Sequence, residues 1–149
     1  MVAVYQSVCS MAEIAIHNLM HWLDQCPTPF HVVERAGTVL NGAGFVATTS
    51  LSDDLPTKGY LSLDGAVVAW HLGKPSGSLR IIGAHTDSPN LRVRPNPDLI
   101  SAGWSQLGVE IYGGVLLNSW LDRDLGIAGR VIDEAGDSHL FSVASPVAR

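Results

Sequence analysis

The sequence predicts an α/β fold with a mixed sheet, followed by a β-rich part. Helical and strand patterns alternate up to residue 94, whereas residues 95–149 carry short alternating strands with glycine and little helix signal. The chain has 149 residues, of which 46% are hydrophobic and 15% charged. That length and composition suit a globular domain with a hydrophobic core and argue against disorder.

A first helix is predicted from a capping box formed by Ser10 and Glu13. Apolar residues then recur at three- and four-residue spacing until Pro27, which ends the pattern. His17 and His21 lie one turn apart and could in principle bind a metal together. They lack the glutamate of an H-E-x-x-H motif, so we interpret both as histidines on the helix surface.

A second helix should start with Thr28 as N-cap and Pro29 at the first helical position, and end near Asn41-Gly42. Residues 42–47 have the spacing of a dinucleotide-binding motif. That motif needs a strand before it and a helix after it, and here a helix precedes and a strand at 45–49 follows. We therefore expect these glycines to cap the helix and turn the chain.

A hairpin is predicted from residues 60–63 and 66–70, joined by Asp64-Gly65, a pair that favours the positive φ of a two-residue turn. Residues 74–77 should form a surface loop. The apolar run at 79–84 then predicts another strand, which leads directly into a histidine.

His85 and Asp87 follow that run, and Ser88-Pro89 ends it. Side chains at positions i and i+2 of an extended segment point to the same side, so the carboxylate could accept the proton of one imidazole nitrogen. The other nitrogen would then be free to bind a metal, an arrangement common among metal-bound histidines. The alternative is a strand-end histidine with an ordinary hydrogen bond, beside a solvated aspartate.

The β-rich part should begin after a proline-rich break at 94–98, which we interpret as a hinge between domains 1–94 and 95–149. Strands are expected around residues 107–111, 127–132 and 140–143. Asp122-Arg123-Asp124 offers a second group of carboxylates, but alternating charge is more typical of a surface or interface network.

Composition excludes several classes of protein. The net charge is −5 with no basic stripe, so nucleic acid is not an expected partner. The first basic residue is Arg35 and no apolar run reaches the ~20 residues of a membrane span, so we expect a cytoplasmic protein. Cys9 and Cys26 are too few for a thiolate zinc site, so any metal ligands would be nitrogen and oxygen, as in catalytic zinc sites.

Several separated blocks together resemble the M18 family of zinc aminopeptidases, the aspartyl aminopeptidase family. The blocks are residues 27–31 (PTPFH), 83–89 (GAHTDSP) with 91–93 (LRV), 108–114 (GVEIYGG), 120–125 (WLDRDL) and 129–131 (GRV). The resemblance runs over nearly all of this chain but over only about the first third of a family member. We therefore expect a truncated portion of a longer enzyme.

The resemblance implies part of a mixed-sheet zinc exopeptidase layer fold, with the start of an inserted β-rich dimerisation domain at 95–149. It also implies a two-zinc site in which His85 is a zinc ligand and Asp87 orients it, the remaining ligands lying beyond residue 149. Zinc would lower the pKa of bound water toward about 7 and polarise the scissile carbonyl of a peptide substrate. Further implications are release of N-terminal amino acids, with acidic residues preferred by matching relatives, and homo-oligomers built from dimers. The isolated chain should be inactive.

Two rival functions remain. Ser88, His85 and Asp87 supply the residue types of a serine hydrolase. However, residues this close in sequence cannot place nucleophile, base and orienting acid in series, and there is no G-x-S-x-G elbow. The other rival is a non-catalytic short paralogue that acts as an oligomerisation module beside full-length subunits.

Overall fold

The structure, a computed structural model, describes residues 2–52, 54–74 and 77–149, with side chains from Glu13 onward. The elements are α1 (Val2–Asp24), α2 (Pro29–Gly42), β1 (Val46–Thr48), β2 (Lys58–Leu63), β3 (Ala66–His71), β4 (Asn90–Ser101), β5 (Trp104–Tyr112), a short 3₁₀ helix (Leu117–Ser119), β6 (Leu125–Ile132) and β7 (Ser138–Ala148). They form two compact units. Unit 1 contains the chain up to Thr86 together with Ala128–Ser142, and unit 2 contains Asp87–Ile127 and Val143–Arg149.

Helix α1 begins at Val2, eight residues before the predicted N-cap Ser10, so the predicted start is wrong. No glycine or proline precedes Ser10, so nothing in the sequence breaks a helix there; the side chain of Ser10 lies outside the described residues. The helix ends before Pro27, as predicted. His17 and His21 are exposed, which confirms the interpretation as surface histidines. Neither described helix has the combination of length and apolar character needed to cross a bilayer.

Helix α2 has the predicted cap. The Thr28 hydroxyl accepts the amide of His31 at 3.4 Å, and Pro29 is the first helical residue. At the other end Gly44 has φ +80°, and the amide of Phe45 donates to Leu40 O at 3.0 Å. The glycines therefore end the helix and turn the chain into β1, as the sequence predicts.

Unit 1 contains a mixed three-stranded sheet in the order β1-β2-β3. β1 runs parallel to β2, and β2 pairs antiparallel with β3 through the predicted Asp64-Gly65 turn, where Asp64 has φ +47°. Helix α2 packs against all three strands. Val33, Tyr60 and Leu61 are only 5–7% exposed and are the buried apolar side chains of the described residues.

The strand predicted at residues 79–84 is absent from the described structure, where these residues have no regular secondary structure. Leu79, Ile81 and Ile82 are 82%, 82% and 97% exposed. The composition favours a strand, but a strand forms only where a neighbour pairs with its backbone. No strand of the described sheets pairs with this segment. Residues 75 and 76 of the predicted loop before it lie outside the described residues.

Unit 2 is built on the antiparallel hairpin of β4 and β5. The proline-rich segment 94–98 lies inside β4, where the register shifts between Val93 and Asp98. The expected break is therefore an irregularity within one strand, which proline and the positive φ of Asn96 (+54°) explain. The compact units divide after Thr86, while the domain boundary at 94/95 stays a prediction.

The remaining β-rich elements follow the sequence pattern. β6 pairs with β7, and residues 133–137 form the turn between them. Asp122 and Asp124 are exposed and lie 3.3 and 3.6 Å from Nε of Arg149, which agrees with a surface charge network. Cys26 is a half-buried free thiol, and its burial raises its pKa although Arg35 opposes the shift. The side chain of Cys9 lies outside the described residues.

The β6–β7 turn predicts a pH dependence of stability. Asp133 accepts from His139 Nε2 at 2.8 Å and from the amides of Ala135 and Asp137 at 3.0 and 2.8 Å. These bonds, the one from His139 first, lower the pKa of Asp133 below its ordinary value. The stabilisation is therefore fully present above about pH 4, the unfolded pKa, and is lost as pH falls through the lower folded pKa.

We expect the amide NMR signals of Ala135 and Asp137 to titrate together with an apparent pKa below about 3.9. In Asp133→Asn this shared titration should disappear, because the side chain no longer ionises. A shared titration that persists in Asp133→Asn would show that another group controls the turn.

Candidate site around His85 and Asp87

The segment that carries His85 is attached to the β2–β3 turn of unit 1. Thr86 Oγ1 donates to the carbonyl of Gly65 at 2.6 Å, and the His85 side chain itself is exposed. One short hydrogen bond therefore fixes the residue directly after His85, although no strand holds this segment.

The turn that receives this bond is itself fixed by residues distant in sequence. Arg130 donates to Asp64 Oδ1 at 2.7 Å, and its guanidinium carbon lies 4.1 Å from the centroid of the Phe30 ring. A Cβ on Gly65 would lie 3.2 Å from Cβ of Pro29, so glycine allows α2 to approach the turn closely. The structure thus joins the 27–31 and 129–131 blocks next to the turn, a contact that no spacing in the sequence indicates.

Asp87 belongs to unit 2, where Tyr112 of the β4–β5 hairpin contacts it and Arg92 of the same hairpin contacts Tyr112. The Tyr112 hydroxyl donates to Asp87 Oδ2. The guanidinium carbon of Arg92 lies 3.3 Å from the centroid of the Tyr112 ring, which is a close stacking contact. The hydrogen bond to Asp87, and then the negative charge of Asp87, raise the pKa of Tyr112, while Arg92 lowers it. Tyr112 is therefore a protonated donor at neutral pH.

Strand pairing places Tyr112 at this position. Asn90, the first residue of β4, is the cross-strand partner of Tyr112, the last residue of β5. Gly113 follows with φ +68°, and a Cβ there would lie 3.5 Å from Pro89. The positive φ suits glycine and lets the chain turn away directly after the tyrosine. Sequence reasoning did not assign a role to Tyr112 or Arg92, although both lie in blocks that carry the family resemblance.

Within the described ranges, no three histidine, cysteine, aspartate or glutamate side chains converge as a metal site would require. The exposed imidazole of His85 fits one ligand of a zinc ion, and a catalytic zinc needs about three protein ligands. The described residues therefore fit one ligand position of a zinc site and not the whole site. His85 and Asp87 fall in different compact units, and their pairing stays a prediction.

Comparison with known proteins identifies the family. The family described as "Aminopeptidase I zinc metalloprotease (M18)" matches residues 22–149. A "Probable M18 family aminopeptidase 2" from Streptomyces avermitilis is 47% identical over 137 residues, which cover 89% of this chain and 32% of that protein. A "Probable M18 family aminopeptidase 2" from Mycobacterium tuberculosis is 43% identical over 141 residues, with 89% and 33% covered.

Solved structures agree with the fold. The mApe1 dodecamer of S. cerevesiae has a TM-score of 0.77 and 29% identity, covering 89% of this chain and 34% of that one. These likenesses confirm the α/β class with a mixed sheet. The chain spans about a third of the length of the curated relatives it matches. The match over residues 22–149 means that this chain belongs to the M18 family of zinc metalloprotease aminopeptidases.

Proposed function

We propose that this chain is the N-terminal third of a two-zinc aminopeptidase that releases N-terminal amino acids from peptides. In this proposal His85 is one zinc ligand and Asp87 orients its imidazole. The observation that carries the proposal is the zinc metalloprotease family match, which includes the His85-Thr86-Asp87 segment. The exposed His85 side chain supports it, since a ligand must reach the metal.

The same proposal also covers the substrates, the oligomeric state and the role of residues 95–149. The substrates would be peptides with acidic N-terminal residues, and the active protein would be a homo-oligomer built from dimers. The dodecamer among the structural neighbours supports the oligomer. Residues 95–149 would begin an inserted dimerisation domain.

We expect the isolated 149-residue chain to show no peptidase activity. One imidazole cannot hold a catalytic zinc, and the described residues offer no second group of ligands. The measurement is hydrolysis of Asp-, Glu-, Ala- and Leu-p-nitroanilide by the chain in excess zinc. Robust turnover would mean that these 149 residues contain ligands not recognised in the sequence.

The family-length protein that carries this sequence is the positive control. It should hydrolyse at least one of these substrates, lose activity on chelation and regain it when zinc is added back. Activity that survives chelation and is abolished by a serine-directed phosphonate would instead support the serine hydrolase alternative.

A non-catalytic oligomerisation module is the second candidate. The observation that favours it is the β4–β5 hairpin, where Val93 and Val109 pair across the strands and, with Leu107 and Ile111, expose apolar side chains. Such a face is suited to a protein interface. A natural stop codon after Arg149, together with co-purification of the stable short chain with an active aminopeptidase, would support this function.

A further inference from the structure

We infer that Tyr112 and Arg92 are positioning residues that hold the Asp87 carboxylate in place for the imidazole of His85. This inference rests on the proposed function, since it extends the role of Asp87 in that site. It assigns a function to two side chains of the β4–β5 hairpin to which sequence reasoning assigned no role.

Asp87 lies outside the regular strands. Residues 87–89 precede β4 and have no regular secondary structure, so no strand ladder fixes the orientation of the aspartate. A carboxylate that must orient a histidine loses effectiveness if it can rotate, because a small misplacement of a supporting group is costly in a catalytic site. A side-chain hydrogen bond is one means of holding it.

Tyr112 provides a hydrogen bond that uses only part of the acceptor capacity of the Asp87 carboxylate. Its hydroxyl donates to Oδ2, and an ionised carboxylate has two oxygens with about four lone-pair sites. The carboxylate can therefore also accept the N–H of an imidazole. Because the acceptor is charged, the bond from Tyr112 is of the stronger class of protein hydrogen bonds.

Arg92 and the hairpin fix Tyr112 in turn. Tyr112 pairs with Asn90 across the strands, and Arg92 lies two residues further along β4, on the same side of the strand as Asn90. Its guanidinium stacks 3.3 Å from the centre of the phenol ring. The ring is therefore held by a planar cation on its face, while its hydroxyl is directed to Asp87.

The test is Tyr112→Phe, which removes the hydroxyl and retains the ring that Arg92 covers. In the family-length protein we expect zinc affinity to fall about tenfold, the lower end of the range for partners of metal-bound histidines. We also expect kcat to fall while KM is unchanged, because the change affects the metal site and not substrate binding. Tyr60→Phe is the matched control: Tyr60 lies in the core of unit 1, and zinc affinity should be retained.

A second readout does not depend on activity. In the 149-residue chain labelled with ¹⁵N-histidine, the two ring nitrogens of neutral His85 report which one carries the proton. We expect one tautomer to dominate in the unsubstituted chain and in Tyr60→Phe, and Tyr112→Phe to shift the population toward a mixture. Arg92→Lys keeps the charge but removes the planar stack, and should cause a smaller shift in the same direction.

The outcomes separate the two proposals. If the unsubstituted family-length protein binds no zinc and has no activity, the proposed function fails. If it is active but Tyr112→Phe leaves zinc affinity, kcat and the tautomer population unchanged, the positioning role is wrong while the proposed function stands. Should Tyr112→Phe not fold, the same comparison with Arg92→Lys decides, and an unchanged tautomer population there overturns the inference.

Discussion

Replacing His85 with alanine should reduce kcat/KM of the family-length protein by more than about 100-fold, because even a partner of a metal-bound histidine is worth about 10- to 100-fold. The zinc content of the purified protein should fall with it. The physical reason is that a catalytic zinc has about three protein ligands, so losing one removes a large part of its binding free energy. The measurements are steady-state kinetics on aminoacyl p-nitroanilides and metal analysis after dialysis.

His17→Ala is the matched control, since His17 is an exposed histidine on α1 with no proposed part in the site. Activity and zinc content should be unaffected there. Retention of both zinc and activity in His85→Ala would remove His85 from the metal site. The family membership would stand, but the zinc ligand would have to be another residue of the protein.

Local features of this chain were predictable because neighbouring residues determine them. Thr28-Pro29 specifies a helix start through a side-chain cap and a preset φ, and the Asp64-Gly65 pair specifies a tight turn through positive φ. Each depends on two or three adjacent residues. The structure confirms both, together with the mixed sheet that they help to organise.

The strand predicted at 79–84 was wrong because strand formation is not local. Its residues have the right composition, but backbone pairing must come from another strand, and the described residues place none beside it.

The periodicity of the sequence likewise did not predict the contacts around the candidate site. The sequence suggested His85 and Asp87 because two chemically useful residues lie two positions apart. Tyr112 reaches Asp87 across 25 positions, and Arg130 reaches Asp64 across 66. Pairs this far apart leave no local spacing signal in the sequence. Only the folded chain shows that Tyr112 contacts Asp87 and that Arg130 contacts Asp64.

The largest effect on stability is expected from Leu61→Ala. Leu61 is 6% exposed on the middle strand of the sheet, paired with Thr48 on one side and Val68 on the other. Truncating a buried leucine removes its transfer free energy and leaves a cavity, at a cost of about 2–5 kcal/mol. Only three of the described residues form the buried apolar core, so few neighbours can move in to fill it.

We expect thermal unfolding followed by circular dichroism to show a fall in Tm of about 5–15 °C for Leu61→Ala. Leu63→Ala makes the same chemical change two residues further along β2, where the side chain is 53% exposed. Leu63→Ala should lower the free energy of unfolding by less than about 1 kcal/mol, because an exposed leucine buries little apolar surface on folding. Equal destabilisation by the two variants would contradict a core centred on Leu61, since burial is the main difference between these two leucines of one strand.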